Sequence, residues 1–150
     1  MIRQARAVQV GSVQIGGGAP VSVQAMTDTD TRDIPATVAQ IAALEEAGCD
    51  LVRVAVPDME AARALGPIKE RIQLPLIADI HFDYRLAVEA AAQGVDKLRI
   101  NPGNLRRPEQ VEQVAAAAAD RGIPIRVGAN AGSVPEAIRA RHEGEGDVQD

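Results

Sequence analysis

The strongest constraint on this chain is a regular alternation of short β-branched runs with longer helical stretches. From residue 34 onward, four such runs start roughly 22 to 27 residues apart, with Ala-, Glu-, Gln- and Arg-rich stretches between them. This rhythm is typical of βαβ units, whose strands lie parallel in one sheet. The predicted strands are LVRVAVP (51–57), LPLIADI (74–80), DKLRINP (96–102) and IPIRVGAN (123–130), and the predicted helices lie near 35–47, 58–72, 83–93 and 108–121.

Turn and capping residues mark the ends of these helices. Three of the four helices run into a glycine at a position suited to C′, and the second runs instead through Ile72-Gln73 into Leu74-Pro75. Each helix start carries an aspartate or a proline, the residues that favour the first turn. The glycines are Gly48, Gly94 and Gly122, and the start signals are Asp33-Ile34-Pro35, Pro57-Asp58, Asp83 and Arg107-Pro108.

The first thirty residues follow a different pattern. AVQVG and SVQIGGG predict a hairpin, and APVSVQAMT predicts the first parallel strand. Gly16-Gly17-Gly18 lies between two strands, not between a strand and a helix, so we interpret it as a turn and not as a phosphate loop. The predicted fold is α/β: residues 1–150 form one domain, the N-terminal portion of a TIM-type (β/α)8 barrel with about five parallel strands and an N-terminal hairpin.

Composition narrows the function classes. With one Phe, one Tyr and no Trp, the core has to be aliphatic, which suits parallel strands covered by Ala-rich helices. The net charge of −5 argues against nucleic acid as a partner, and no apolar run of roughly 18 residues predicts a membrane span. The N-terminus lacks the apolar stretch of a signal peptide, and Cys49 is the only cysteine. We therefore expect a protein of the reducing cytoplasm, with Cys49 as a small buried residue.

Strand parity separates two faces of the predicted sheet. Alternate side chains of a strand point to opposite sides, and one parity here is wholly aliphatic. The other parity carries polar groups on four successive strands, mostly toward their carboxyl ends, where the active sites of (β/α) barrels lie. The aliphatic set is Val52, Val54, Val56, Ala78, Ile80, Leu98, Ile100, Ile125 and Val127; the polar set is Arg53, Asp79, His81, Lys97, Arg99, Asn101, Arg126 and Asn130.

Three arginines in equivalent strand positions indicate an anionic ligand. A single strand arginine is as well explained by an ion pair with Asp79 or Asp96, but three near each other need more counter-charge than Asp79 supplies. Guanidinium groups bind phosphate oxygens bidentately. His81, two residues from Asp79, is a candidate proton donor or ligand-orienting group, Asn101 and Asn130 are candidate hydrogen-bond partners, and no metal site or catalytic group is assigned.

Five strings in the chain resemble one family, the bacterial 4-hydroxy-3-methylbut-2-enyl diphosphate synthases. The resemblance runs from about Val10 to Ser133, and ADIHFDYR and LRINPGN are its most specific parts. Two positions depart from the family's usual VQSMTNT string, which has Ser and Asn where this chain has Ala25 and Asp28. The strings are VQAMTDTDTRD (23–33), VRVAVPDM (52–59), PLIADIHFDYRLA (75–87), DKLRINPGN (96–104) and PIRVGANAGS (124–133).

The resemblance implies reductive opening of 2-C-methyl-D-erythritol 2,4-cyclodiphosphate in the non-mevalonate pathway of isoprenoid biosynthesis. It also implies a C-terminal domain with a [4Fe–4S] cluster, ferredoxin or flavodoxin as electron donor, and a homodimer. We expect the later barrel strands and the cluster domain to be absent from this chain, and the chain alone to be inactive, since Cys49 cannot hold a cluster. Carried over residue by residue, the substrate contacts are Arg53, Asp79, His81, Arg99, Asn101, Arg126 and Asn130.

Two other hypotheses remain open from the sequence. One is a non-catalytic partial barrel that binds a phosphorylated ligand. The other is a different phosphate-handling barrel, of the dihydropteroate synthase type. Further cysteine codons downstream would favour the reductive enzyme over both.

Overall fold

The computed structural model describes residues 5–81, 83–101, 103, 105, 107–129, 132, 134, 136, 138 and 140. A two-stranded antiparallel hairpin precedes a five-stranded parallel sheet, and helices connect the sheet strands. The strands are β1 (Val8–Val10), β2 (Val13–Ile15), β3 (Gln24–Met26), β4 (Leu51–Val56), β5 (Leu76–Ile80), β6 (Lys97–Ile100) and β7 (Ile125–Val127), and the helices are α1 (Ile34–Glu46), α2 (Met59–Lys69), α3 (Tyr84–Ala92) and α4 (Pro108–Arg121).

The sheet has the strand order of a barrel. Its strands are arranged β3-β4-β5-β6-β7, each parallel to the next, and α1 to α4 fill the four connections. The hairpin and the five parallel strands confirm the predicted partial (β/α) barrel. The strands are shorter than predicted; β3 begins only at Gln24 because that residue pairs with Leu51, where β4 itself begins.

Aspartate side chains start three of the four helices. The carboxylates of Asp33, Asp58 and Asp83 each accept a hydrogen bond from a backbone N–H of the first turn. Arg107 makes no side-chain cap, and Pro108 occupies the first turn of α4 instead. These contacts confirm the predicted helix starts.

The helix ends follow the predicted glycines. Gly48 and Gly94 follow α1 and α3 with φ of 93° and 86°, and Gly122 ends α4 with φ of 63°. These left-handed values suit glycine because it has no Cβ. The second helix ends before Glu70, whose backbone stays in the right-handed α conformation. This agrees with the sequence, which has no glycine at that position.

The aliphatic parity forms the main core. Its β4, β5 and β6 members are at most 4% exposed, and they pack against buried alanines and leucines of α2 and α3. Ile125 of β7 packs at the margin of this core. Val127 is the exception to the prediction, at 65% exposed, because β7 lies at the edge of the described sheet.

The hairpin covers the inner face of the sheet, which is the face opposite the helices, at the amino ends of the strands. Val10 is fully buried against Leu51 and Ile77, the inner-face residues near the amino ends of β4 and β5, and Val13 and Ile15 pack beside them. The run Gly16–Gly18 has positive φ throughout and turns the chain from β2 toward β3, which confirms the predicted turn. An apolar plug at the amino ends leaves the carboxyl ends of the strands as the place for a binding site.

We expect the 150-residue chain on its own to self-associate. Within the described residues, β3 and β7 each have a single strand neighbour, so each presents unpaired N–H and C=O groups. Light scattering across a concentration series, combined with thermal unfolding, measures this. A Val21→Lys variant is the control: Val21 is 96% exposed beside β3, and a lysine there should weaken the association. A monomer whose melting temperature does not change with concentration would contradict the expectation.

Candidate functional site: an arginine cluster on the inner face

The register of the parallel strands brings the polar parity together. Asp79 of β5 is paired with Arg99 of β6, and Arg99 with Arg126 of β7. Arg53 of β4 lies two positions before Ala55, which is the partner of Asp79. Because paired residues of neighbouring strands point to the same side, all four side chains share the inner face. Parity in the sequence therefore predicted this cluster correctly.

Asp79 lies at the centre of the cluster and holds two arginines. Its side chain is 6% exposed; Oδ1 accepts a hydrogen bond from Nη1 of Arg99 at 3.1 Å, and Oδ2 is 3.5 Å from Nε of Arg53. The two arginine side chains are 23% and 25% exposed. Both oxygens of this carboxylate are thus engaged by guanidinium groups, and the contact of Asp79 with a substrate stays a prediction. Asp79 therefore acts on the two arginines, and the other predicted partner, Asp96, pairs with Lys69 instead.

Met26 contacts Arg53 from the other side. Its Sδ is 3.3 Å from Nε and 3.2 Å from Nη2 of Arg53, so one edge of that guanidinium faces a thioether. The register pairs Met26 with Arg53 and Ala25 with Val52, which puts Ala25 on the helix-covered face. The departure at Ala25 therefore removes no polar group from the inner face. Sequence analysis did not find Met26, although its parity relative to Ala25 was a usable signal.

Arg126 and Lys97 add charge that the described residues do not neutralise. Arg126 is exposed, and neither side chain forms an ion pair with a described residue. Partial burial, together with repulsion from Arg126, lowers the pKa of Lys97 below its ordinary value. Among the described residues, four cationic side chains thus share the inner face with the single carboxylate of Asp79, on a protein of net charge −5.

Two of the remaining predicted residues, His81 and Asn101, directly follow the strands β5 and β6. His81 directly follows β5; its backbone N–H donates to the carbonyl of Val56 at 3.4 Å, and its Nδ1 is 3.1 Å from the backbone oxygen of Asp79. Asn101 is 6% exposed, and its Oδ1 accepts a hydrogen bond from the N–H of Gly103, so this side chain shapes the loop after β6. Asn130 lies outside the described residues.

The loop after β3 is fixed to α1 by side-chain contacts. Gln40 donates through Nε2 to the carboxylate of Asp28, and its Oε1 accepts from the N–H groups of Asp28 and Thr29. The hydroxyls of Thr29 and Thr37 are 2.9 Å apart. Asp28, the second departure from the family string, is thus a loop-ordering residue.

Acidic residues of the loops are paired with nearby arginines. Hydrogen bonds from Arg32 lower the pKa of Asp30 to about 2, and Arg32 also reaches Asp58 at 3.2 Å. Arg85 lowers the pKa of Asp83 in the same way. Because these carboxylates have local cationic partners, they oppose the positive inner face only weakly.

The single cysteine of this chain does not fit an iron–sulfur cluster. Such clusters need several thiolates, and Cys49 is the only cysteine of the sequence. It lies just before β4, partly buried against the core, in accord with its predicted role as a small packed residue. Within the residues that the structure describes, no three His, Cys, Asp or Glu side chains are grouped to hold a metal ion.

Comparison with known protein families decides between the barrel types. The family model described as the GcpE TIM-barrel domain matches residues 5–148. The chain belongs to the GcpE TIM-barrel domain family. Its fold is therefore that of a barrel of this family, as the five resembling strings predicted.

Curated relatives of this GcpE-family chain carry one name. Proteins from Azotobacter vinelandii and Thermodesulfovibrio yellowstonii, both named 4-hydroxy-3-methylbut-2-en-1-yl diphosphate synthase (flavodoxin), are 59% and 63% identical over 140 and 134 residues. The matches cover 93% and 89% of this chain but 38% of each relative. The chain thus spans less than half the length of the curated relatives it matches.

Solved structures with a similar fold include dihydropteroate synthases. The enzyme from Vibrio fischeri has a TM-score of 0.61 at 15% identity, and that from Xanthomonas albilineans has 0.59 at 24%. The matches cover 82% and 81% of this chain and 48% of each structure. At these identities the likeness shows the fold alone.

In the part of the GcpE-family chain that is described, no helix has the length and apolar character to cross a membrane.

Replacing Asp79 should destabilise the protein by exposing two arginines to each other. We expect Asp79→Ala to lower the free energy of unfolding by about 2 kcal/mol, between the values for exposed and buried ion pairs, and Asp79→Asn to lower it less. Urea unfolding with and without pyrophosphate measures this, and the anion should stabilise Asp79→Ala more than the native chain. Asp30→Ala, which removes an exposed arginine partner, is the control and should change little. Equal stabilisation of Asp79→Ala and the native chain by the anion would contradict the role given to Asp79.

Lys97 should make both stability and anion binding pH-dependent at alkaline pH. Because the pKa of Lys97 is lowered in the folded protein, its positive charge destabilises the fold at neutral pH. This destabilisation disappears as the pH rises from the lowered pKa to the ordinary pKa of lysine. An anion favours the protonated form, so its affinity should fall over the same range. We expect Lys97→Met to melt at a higher temperature than the native chain at about pH 7, and this difference should shrink by about pH 10. The anion affinity of Lys97→Met should also fall less with rising pH than that of the native chain. Parallel pH profiles of the two proteins would exclude Lys97 as the titrating group.

Proposed function

We propose that this domain is the substrate-binding barrel portion of an iron–sulfur oxidoreductase. The reaction is the conversion of 2-C-methyl-D-erythritol 2,4-cyclodiphosphate to 4-hydroxy-3-methylbut-2-enyl diphosphate by reductive ring opening and dehydration. The observation that carries the proposal is the excess of positive charge on the inner face, where Asp79 of β5 is the one described carboxylate beside Arg53 of β4, Arg99 of β6 and Arg126 of β7. Membership of the GcpE family and the names of the relatives support it further.

The cyclic diphosphate supplies the counter-charge that the inner face lacks. Each charge-assisted hydrogen bond from a guanidinium to a phosphate oxygen contributes roughly 1.5–3 kcal/mol. Arg99 and Arg126 make these contacts together with Arg53, while Asp79 keeps two of the guanidiniums in place. Parallel strands fix the spacing of these groups, so the diphosphate is held at a defined position and the rest of the substrate is oriented by it.

His81 and Asn101 orient the substrate from the rim. His81 and Asn101 follow β5 and β6 directly, at the carboxyl ends where barrel enzymes bind their substrates. The imidazole of His81 serves as a proton donor or a ligand-orienting group beside the diphosphate. Asn101 and Asn130 provide neutral hydrogen bonds to the same ligand.

The redox part of the reaction belongs to residues that this chain does not contain. A [4Fe–4S] cluster, held by cysteines of a C-terminal domain, supplies the electrons for ring opening when bound. Flavodoxin, which the names of the relatives include, or ferredoxin is the electron donor. The complete protein is a homodimer of the bacterial cytoplasm, and the 150-residue chain alone has no reductive activity.

A second candidate is a non-catalytic barrel that binds a phosphorylated ligand. In that case the same arginines bind the phosphorylated ligand without a redox centre. Downstream coding sequence distinguishes the two: an open frame with further cysteines favours the enzyme, and a stop codon favours the binding module. A dihydropteroate synthase activity has only the likeness in fold behind it.

Calorimetry with the cyclodiphosphate and with pyrophosphate tests the anion site. We expect binding that weakens with added salt, and at least a tenfold loss of affinity in Arg126→Met, which corresponds to about 1.4 kcal/mol. Arg63→Met, which removes an exposed arginine on α2, is the matched control and should bind as the native chain does. Equal affinities in the native chain and in Arg126→Met would count against the proposed role of the arginine cluster.

A further inference from the structure

Gly128 lies against the guanidinium of Arg99. It directly follows β7, and its N–H donates to the carbonyl oxygen of Ile100 at 3.0 Å, which fixes it beside β6. A Cβ added at Gly128 would be 3.3 Å from both Nε and Nη2 of Arg99 and 3.7 Å from its Cζ. The backbone of β7 thus approaches Arg99 more closely than a side chain would ordinarily permit.

These three distances define which part of Arg99 the glycine faces. A point above the flat face of a guanidinium is as near to Cζ as to the nitrogens, whereas a point in front of one edge is farther from Cζ. The Cβ position is equidistant from Nε and Nη2 and farther from Cζ. It therefore lies in front of the Nε–Nη2 edge, where two parallel N–H groups donate to an oxyanion in a bidentate contact.

The two arginines held by Asp79 differ at this edge. The Nε–Nη2 edge of Arg53 faces Sδ of Met26 at 3.3 and 3.2 Å, and its Nε also lies near Asp79. Arg99 contacts Asp79 through Nη1. Its Nε–Nη2 edge donates no hydrogen bond to a described residue and is bounded by a glycine. Of this pair, Arg99 is the one whose bidentate edge is left for a ligand.

We propose that Gly128 is a specificity-determining residue of the anion site, because its missing side chain keeps the bidentate edge of Arg99 open to a phosphate oxygen. This inference rests on the proposed function. A methyl group at position 128 occupies the place of the phosphate oxygen, or displaces Arg99 and breaks its contact with Asp79. Either result lowers anion affinity. Gly128 does not have a positive φ, so an alanine there introduces no backbone strain.

Pyrophosphate binding to a set of variants of this chain tests the proposal. We expect Gly128→Ala to weaken binding at least tenfold in calorimetry. Val127→Ala is the matched control, since Val127 is the preceding residue on the opposite, exposed face, and its affinity should stay within twofold of the native value. Thermal unfolding of each variant identifies any loss of folded protein.

The decisive measurement is Gly128→Ala in an Arg99→Ala background. If the glycine acts through Arg99, the second substitution causes no further loss once the guanidinium is gone. Losses that multiply in the double variant, or a native affinity in Gly128→Ala, would overturn the role of Gly128 while leaving the anion site intact. Native affinity in Arg99→Ala itself would instead count against the proposed anion site.

A second measurement needs no variant at position 128. In the native chain labelled with ¹⁵N-arginine, pyrophosphate should shift the Nε–H resonance of Arg99 more than that of Arg53, whose edge faces Met26. Larger shifts at Arg53 than at Arg99 would overturn the inference. Assignment through Arg53→Lys and Arg99→Lys variants identifies the two resonances.

Discussion

The inner face of the sheet depends on the carboxylate of Asp79. Two partly buried guanidiniums, on the strands to either side of β5, repel each other, and the 6%-exposed carboxylate between them offsets that repulsion. Its single negative charge neutralises only part of the charge of the arginines, so the cluster stays positive. The same interaction thus lowers the repulsion within the fold and leaves the excess of positive charge that the proposed anion site needs.

Two faces of one sheet have separate tasks. The helix-covered face holds the aliphatic core, where α2 and α3 bury their apolar sides. Because this core stabilises the sheet, the inner face can carry charged groups. The hairpin packs Val10 on Leu51 and Ile77 at the amino ends of the strands. The charged layer therefore lies toward the carboxyl ends, in the position that barrels of this kind use for binding. Met26 and Gly128 then decide which edges of the arginines a ligand can reach.

Much of this arrangement was predictable because the period of a strand is two. Once LVRVAV and DKLRI were identified as strands, the positions of Arg53 and Arg99 relative to their aliphatic neighbours fixed the face on which each lies. Aspartates at the helix starts and glycines at the helix ends act over a few residues, so they too were visible locally. The prediction that Val127 lies in the core was wrong. Parity fixes the face of a residue, but the burial of a residue on an edge strand also depends on what covers that strand.

The sequence by itself determined the order of elements, the two faces of each strand, the excess of arginine on one face and the family, because these follow from local period and from strings of residues. Tertiary structure decided which arginine pairs with Asp79, that Met26 contacts Arg53, and that Gly128 faces the edge of Arg99. Asp79, Met26 and Gly128 each contact an arginine of a different strand. The two residues of each contact are 20 to 29 positions apart in the sequence. These contacts depend on the register and separation of parallel strands to within a fraction of an ångström, and no local pattern encodes that geometry.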